Sequence, residues 1–466
     1  MEEIYRHIDT HADEFLETLQ RFCQQPSISS EGVGIREMVG MLKHEMKRIG
    51  IETTVHETPG NPLVTGIVRG ERNRTLMFYN HYDVQPPDPV EKWDSPPFGA
   101  EIREGRVWAR GATDNKGNIL SRLKALESFL KVQGKPPLTV KFLFDGEEEN
   151  GSPSLLPFVQ GHKDLLQADG CVWEDGAWKD SPNQPVIDLG NKGLLSFELS
   201  VRTANVDFHS SFAPIYENAA WRLVWALASM KGPDERVRIE GFYDDVIPTA
   251  EKEEKFIRQA PLFDEKKFLQ QFSMRRFVLG LSGTDLIRRH LMESTCNIAG
   301  IWGGYTGKGA KTAIAAGAAA KMDLRLVPEQ KSMDIYEKIR RHLDQKGFAD
   351  VIMSPPTFTS EPCRPPVDSE IVKAIQRASR KVYGQEPIVK PQGVGGTPCW
   401  KLYNTLQIPM AGTGLGRVSA QAHGHNENLV IQEYIDCIKY MATIMEEFSH
   451  SGGDSMNRNS MPGSRE

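Results

Sequence analysis

The sequence lacks any stretch approaching the roughly 18 consecutive apolar residues that would span a bilayer, so no membrane-crossing helix is expected. The start, Met1-Glu2-Glu3-Ile4-Tyr5-Arg6, carries early acid and no apolar block, so it does not read as a signal peptide. Cysteine is scarce. Only six occur (Cys23, Cys171, Cys296, Cys363, Cys399 and Cys437), scattered and without a Cys-x-x-Cys spacing. That disfavours a disulfide framework and implies buried free thiols in a reducing cytoplasm. Positive charge is in no surplus either: 56 Lys and Arg against 62 Asp and Glu leave a net charge of −6. Nothing there would grip a polyphosphate, so nucleic acid is not an expected partner.

What is present is ordinary for a soluble globular protein: 39% hydrophobic and 25% charged residues, with 41 Gly and 29 Pro. Collagen, coiled coil and global disorder are excluded. A chain of 466 residues exceeds one ordinary domain and predicts two or three. There is no internal repeat and no low-complexity tract.

Residues 1–50 read as two helices, the first from Ile4-Tyr5…Ile8…Phe15-Leu16…Leu19…Phe22, the second from about Ile35 to Ile49. Over residues 51–200 short β-rich runs alternate with helical ones. Candidate strands are Leu63–Val68, Thr75–Tyr79, Leu138–Phe144 and Gly170–Trp173, and a helical stripe runs through Ile119, Leu123, Leu126 and Leu130. This alternation predicts an α/β fold with a mostly parallel, mixed sheet. From about Lys192 the style changes. Leu194–Val201 alternates like a half-buried strand, charge-rich helical sequence follows to about His290, and another strand ends near Val327-Pro328. The expected organisation is a catalytic domain at 1–193 and 359–450, interrupted by an inserted α+β lid and dimerisation domain at 194–358. A closing helix is expected over about Gln432–Phe448, and a disordered tail at 451–466.

Polar clusters follow several predicted strands: His81-Tyr82-Asp83, Asp114-Asn115-Lys116-Gly117, Asp145 to Ser152, and Glu174-Asp175. Ligands of open α/β sheets bind beyond the carboxyl ends of the strands, so these distant clusters can converge. With the late Ala422-His423-Gly424-His425-Asn426-Glu427 they offer nitrogen and oxygen donors and no thiolate, which suits zinc, manganese or cobalt. If the strand continues past His81, Asp83 points the same way and fixes the imidazole tautomer. Singly, each cluster has a plainer reading as a polar loop or helix start. Gly304 to Thr312 is one residue away from a phosphate-binding loop; the extra Ala310 breaks the spacing, and a glycine-rich connector is the better reading.

The motifs His-Tyr-Asp-Val-Gln-Pro at His81, Gly-Ala-Thr-Asp-Asn-Lys-Gly around Asp114, Glu-Glu-Asn-Gly-Ser from Glu148 and Ala-His-Gly-His-Asn-Glu around His423 occur in one order over about residues 5–450. In this the chain resembles the metallopeptidase family of carnosinases, cytosolic dipeptidases, aminoacylases and succinyl-diaminopimelate desuccinylase, and most of all its carnosinase and dipeptidase branch. The resemblance implies two divalent ions, with zinc favoured over manganese or cobalt. His81 and Asp175 would hold one, Glu149 and His423 the other, and Asp114 would bridge them. His425 is the structural alternative to His423. Glu148 would be the general base, and Asp83 would orient His81. The peptide after Asp114 is expected to be cis.

In the inserted domain, the resemblance makes His209 an oxyanion-stabilising residue reaching the partner subunit's site, so a homodimer is implied. Arg325 would clamp the substrate carboxylate, with Thr312 a companion contact and Gly395-Gly396-Thr397 the loop closing on substrate. The implied activity is hydrolysis of dipeptides or C-terminal residues with a free carboxylate; the alternatives are an N-acyl-amino-acid deacylase and a silent metal-binding scaffold. Ser211, Ala213-Pro214, Ala315 and Thr397-Pro398 depart from the family pattern and bear on the side-chain pocket.

Overall fold

The computed structural model describes residues 1–174, 184–259 and 264–450. Asp175 and the tail at 451–466 therefore lie outside the described residues.

Eight strands form the large sheet, in the spatial order Glu52–His56, Leu63–Val68, Leu138–Asp145, Arg72–His81, Gly170–Trp173, Met410–Gly412, Val186–Asp188, Ile388–Lys390. The sheet is mixed. Its centre is parallel, where Arg72–His81 pairs with Leu138–Asp145 on one side and Gly170–Trp173 on the other, while the first three strands of the order run antiparallel. All four strands expected in this stretch are present, and Leu63–Val68 and Gly170–Trp173 have the expected bounds.

The central strands are covered on both faces, which explains their continuous apolar runs. Leu76, Phe78, Phe142 and Phe144 face the helices Glu2–Thr10, Asn118–Gln133, Glu370–Tyr383 and Ile431–His450. Met77, Tyr79 and Leu143 face the opposite layer with Phe158, Cys171, Leu402 and Leu406. Each such fully buried large side chain contributes about 1.5–3 kcal/mol of transfer free energy. The layered core fixes the strand ends, and the strand ends carry the chemistry.

The N-terminal helical region comprises three helices, not two: Glu2–Thr10, Ala12–Gln24 and Ile35–Arg48. His11 leaves the helical conformation at φ −106° and ψ 16°, and its amide still donates to the His7 carbonyl. The apolar stripe continues across the break, so periodicity alone could not show it.

Helix Asn118–Gln133 is buried nearly all round, so its charges need partners. Lys124 donates to Glu45 at 2.6 Å and to Glu127 at 3.0 Å. Arg122 donates to the carbonyls of Thr413 and Glu174, tying two strand ends together.

A second sheet is built from residues 193–360, with Gly193–Arg202 paired to Gly317–Leu326, and Asn297–Gly303 added as an outer strand. Leu195, Phe197, Leu199 and Val201 alternate inward against helices Ala219–Met230 and Ser332–Gln345. That core shares no residue with the cores of the large sheet. The glycine-rich stretch 304–312 joins two strands, with no helix following it to receive phosphate.

Candidate active site

Four chain segments meet beyond the carboxyl ends of the central strands. The first is the end of Arg72–His81. The strand stops at His81, so Asp83 is not aligned by strand alternation as the spacing suggested. It nevertheless lies beside the imidazole: His81 Nδ1 is 3.1 Å from the Asp83 carbonyl oxygen and 3.5 Å from its Oδ1. The Asp83 carboxylate also accepts the backbone N–H of Glu148 at 3.2 Å and of Glu149 at 3.1 Å. One fully buried carboxylate thus sets both the histidine and the glutamate pair.

The second segment follows Leu138–Asp145. Gly146 is required here, because a β-carbon on it would lie 2.2 Å from the Tyr82 hydroxyl oxygen. A short 3-10 turn over Glu148–Asn150 then points the adjacent glutamates into one cleft, which an extended strand would not do. Glu149 Oε2 accepts from Gln85 Nε2 at 2.9 Å.

The third segment is the loop before helix Asn118–Gln133, containing Asp114 and a cis Asp114–Asn115 peptide, as the resemblance implies. The fourth is the loop 421–427, in which Gln421, His423 and Asn426 all have positive φ, 64° at His423. Left-handed backbone at non-glycine residues is concentrated at functional loops.

These segments converge on Asp114. His81 Nε2 lies 3.1 Å from Asp114 Oδ1, and His423 Nε2 lies 3.0 Å from Oδ2. His423 Nε2 is also 3.1 Å from Glu149 Oε2, and Glu148 Oε2 is 4.0 Å from His81 Nε2. Ligand atoms of His81, Asp114 and Glu149 all fall within 4.8 Å of one another. A tetrahedral shell with metal–ligand bonds of about 2.0–2.2 Å spaces its donors by about 3.3–3.6 Å, so the set fits cations such as zinc in charge, donor type and scale.

The electrostatics agree with that composition. Burial pushes the Glu148 carboxyl up to about 8; Glu149, Asp114 and Asp83 add to the rise and His81 opposes it. Burial also pushes Asp114 up, but the hydrogen bonds from His423 and His81 outweigh it and hold the carboxyl below its ordinary range. His423 is raised to about 10 by hydrogen bonds to Asp114 and Glu149. Negative charge is packed more tightly here than the two imidazoles alone balance, the condition under which divalent ions bind.

Asp175, the remaining expected ligand, lies outside the described residues. The chain reaches it from a fixed point: the Glu174 amide donates to the Tyr79 carbonyl at 2.7 Å, and the Glu174 carbonyl accepts from Asn80 Nδ2 and Arg122. His425 is exposed and shares no hydrogen bond or ion pair with the cluster among the described residues.

The residues singled out in the second sheet form two separate groups. His209 is exposed; its Nε2 lies 3.4 Å from Thr312 Oγ1 and its Nδ1 accepts from the Ser211 amide. Neither residue bonds to the Asp114 cluster among the described residues. Arg325 instead lies against the loop Gly395-Gly396-Thr397: a β-carbon on Gly396 would be 3.8 Å from Arg325 Nη1. Thr397 Oγ1 donates to Cys399 Sγ at 3.0 Å.

Two charged residues at the site were not assigned a role from the sequence. Arg110 and Glu427 form a buried ion pair at 2.8 Å beneath the Asp114 and His423 loops. Burial raises the Glu427 carboxyl, while Arg110 and the amides of Asp114 and Gly111 pull it down. Glu427 belongs to the motif around His423, but nothing in its spacing shows what it touches.

Clustered imidazole and carboxylate donors at the strand ends of a mixed α/β sheet are a site of the charge and donor type that could hold divalent cations. The chain belongs to peptidase family M20/M25/M40, whose pattern matches residues 77–447. It is 27% identical over 480 residues to the human Beta-Ala-His dipeptidase, covering 96% of this chain and 93% of that protein. It is 24% identical over 478 residues to the Cys-Gly metallodipeptidase DUG1 of Saccharomyces cerevisiae, covering 96% and 98%. The solved structure of Sso-CP2, an M20 family metallo-carboxypeptidase from Sulfolobus solfataricus, superposes with a TM-score of 0.83 at 35% identity, covering 94% of this chain and 99% of that one.

Proposed function

We propose that the chain is a two-metal peptidase that cleaves dipeptides, or single C-terminal residues, at the amide bond next to a free carboxylate. The observation that carries this is the Asp114 carboxylate shared between two histidines, 3.1 Å from His81 and 3.0 Å from His423, with Glu148 beside them. In this reading His81, Asp114 and Asp175 hold one cation and Asp114, Glu149 and His423 the other. When bound, the pair of ions lowers the pKa of a water and polarises the scissile carbonyl. Nitrogen and oxygen donors without thiolate support zinc, manganese or cobalt in both places.

The chain's own residues do the rest. Glu148 accepts a proton from the attacking water and returns it to the leaving amine, so the amide C–N bond breaks and no net proton is gained or lost. Its upward-shifted carboxyl suits a base that must also give the proton back. Asp83 holds His81 and both glutamate amides in place. Arg325 offers a bidentate partner to the substrate carboxylate beside Gly396.

The two cores support a catalytic domain at 1–193 and 359–450 with a lid domain at 194–358. The lid also supports a homodimer in which His209 enters the partner subunit's site. Trp221 and Trp225 stack at 5.8 Å on the outer face of helix Ala219–Met230, 58% and 51% exposed, near the outer strand bearing Ile298, Ile301 and Trp302. A solvent-facing apolar patch beside an open sheet edge fits a second copy of the chain. The six free, buried cysteines fit a reducing cytoplasm.

The deciding experiment loads the protein with zinc or manganese and follows amine release from dipeptides, their C-terminal amides and N-acyl amino acids. Dipeptides with a free carboxylate are expected to react fastest. Preference for N-acyl amino acids would make the chain a deacylase, and no turnover of any substrate would remove the reading.

A further inference from the structure

We propose that the buried Arg110–Glu427 pair is a positioning element that fixes the Asp114 loop and the His423 loop against each other, and so sets the affinity for metal. This rests on the metal-site reading above. The antiparallel pairing of Arg106–Trp108 with Asn428–Val430 flanks the two loops and ends with the Ala109 amide donating to the Glu427 carbonyl at 3.0 Å, so Asp114 and His423 themselves lie beyond it. Asp114 and His423 are brought together across the chain, and each is preceded by irregular backbone. Gly111, at φ 83°, opens one loop, and left-handed Gln421 and His423 shape the other.

Glu427 is wholly buried and its partners are nearly all backbone donors of the first loop. Oε1 accepts the amides of Thr113 at 2.9 Å and Asp114 at 3.0 Å. Oε2 accepts the Gly111 amide at 2.9 Å and Arg110 Nη1 at 2.8 Å. Arg110 Nη2 then donates to carbonyls of the second loop, Gly424 at 3.0 Å and His423 at 3.3 Å, and to Pro86 at 3.3 Å. The guanidinium lies 5.4 Å from the Trp93 ring centroid. A buried pair is retained at a desolvation cost, and this one returns it as geometry, since its hydrogen bonds end on the main chain of two metal-ligating residues. An apolar pair of equal volume would fill the space without aiming either loop. Neither residue touches the reacting atoms, so the effect runs through Asp114 and His423.

The test compares wild type, Glu427→Gln, Arg110→Lys and a control, Lys124→Met, which breaks a different buried ion pair in helix Asn118–Gln133. Each protein is stripped with a chelator, melted, and titrated calorimetrically with Mn2+ alone and then Zn2+ alone. Glu427→Gln turns a donor toward Gly111 and Arg110. It is expected to weaken metal binding about 10–100-fold, with kcat largely restored at saturating metal. Arg110→Lys retains the charge without the fork and is expected to weaken binding about tenfold; it carries the test if Glu427→Gln does not fold. The control should lower the Tm of the stripped protein and leave metal affinity unchanged. Wild-type affinity in the two variants overturns the inference, as does an equal loss in the control. Wild-type protein that takes up neither cation would instead overturn the metal-site reading itself.

Discussion

The guanidinium of Arg325 stands over Gly396, with Nη1 3.8 Å from where a β-carbon on that glycine would sit. One residue comes from the second sheet and the other from the loop after the large sheet's strand Ile388–Lys390, so the two sheets' segments approach each other here. A planar cation at such a seam can meet a substrate carboxylate from one side while the loop closes from the other.

Replacing Arg325 by Met should therefore raise KM for dipeptides with a free C-terminus and change kcat little. A charge-assisted hydrogen bond of about 1.5–3 kcal/mol corresponds to a rise of about 10–150-fold. Arg325→Lys should recover only part, because a point charge does not reproduce the fork. C-terminal amides should be nearly indifferent to either change. If amide and acid substrates lose the same factor, Arg325 acts on folding or closure, not on the carboxylate.

Glu148 gives the sharpest separation of binding from chemistry. Glu148→Gln keeps the volume and removes the proposed base, so metal content should persist while kcat falls by about 10²–10⁴-fold. The wild-type kcat/KM should rise with pH through the Glu148 ionisation, since only the carboxylate accepts a proton. In the metal-free chain that group is pushed up to about 8 by burial and its acidic neighbours. Cations favour the charged form, so the acid limb of the loaded enzyme should lie below that value. An acid limb that persists unchanged in Glu148→Gln would exclude Glu148 as the base.

Much of this site is legible in the sequence because of one topological rule. Strands of a mixed α/β sheet deliver the residues that follow them to one edge, so His81 and Glu148-Glu149, each following a predicted strand, were expected to meet, and the Asp114 and His423 loops join them there. What could not be read are contacts that depend on loop conformation. Asp83 looked like a partner of His81 and also caps the amides of Glu148 and Glu149. Glu427 stands in a quoted motif, yet its four donors lie more than 300 residues earlier. Cys363 and Cys399 are scattered in sequence, but their Sγ atoms lie 3.4 Å apart beside Asn191. The helix break at His11 was hidden because amphipathic periodicity runs straight through it.

Metal removal should reveal the charge balance of the centre as a pH-dependent stability. His423 is raised from 6.5 to about 10 by Asp114 and Glu149. A cation with a raised folded-state pKa stabilises fully below its unfolded value, and the contribution is lost as pH rises through the folded one. The chelated protein should thus lose Tm progressively from about pH 6.5 toward 10. His423→Gln should flatten that slope. Loaded protein should show little of it if His423 is a metal ligand as proposed, since only the neutral imidazole can bind a cation. An unchanged slope in His423→Gln would assign the effect to other groups.

His209 is the residue whose proposed role needs a second chain. It is exposed, bonded to Ser211 and near Thr312, and shares no hydrogen bond or ion pair with the Asp114 cluster among the described residues. If it completes the partner subunit's site, His209→Ala and Glu148→Ala homodimers are each impaired in both sites. A mixed dimer is different: one of its sites holds both lesions and the other holds neither. Unfolding and refolding an equal mixture yields about half mixed dimers by random pairing, so activity should recover to about a quarter of wild type. The recovery should appear only after subunits exchange, which light scattering and a tagged pull-down can follow. Activity that stays at the mean of the two impaired parents after proven exchange would place His209 in its own subunit's site and not the partner's, an unimpaired His209→Ala homodimer would place it outside the reaction, and full activity of a dilute monomer would remove the shared site altogether.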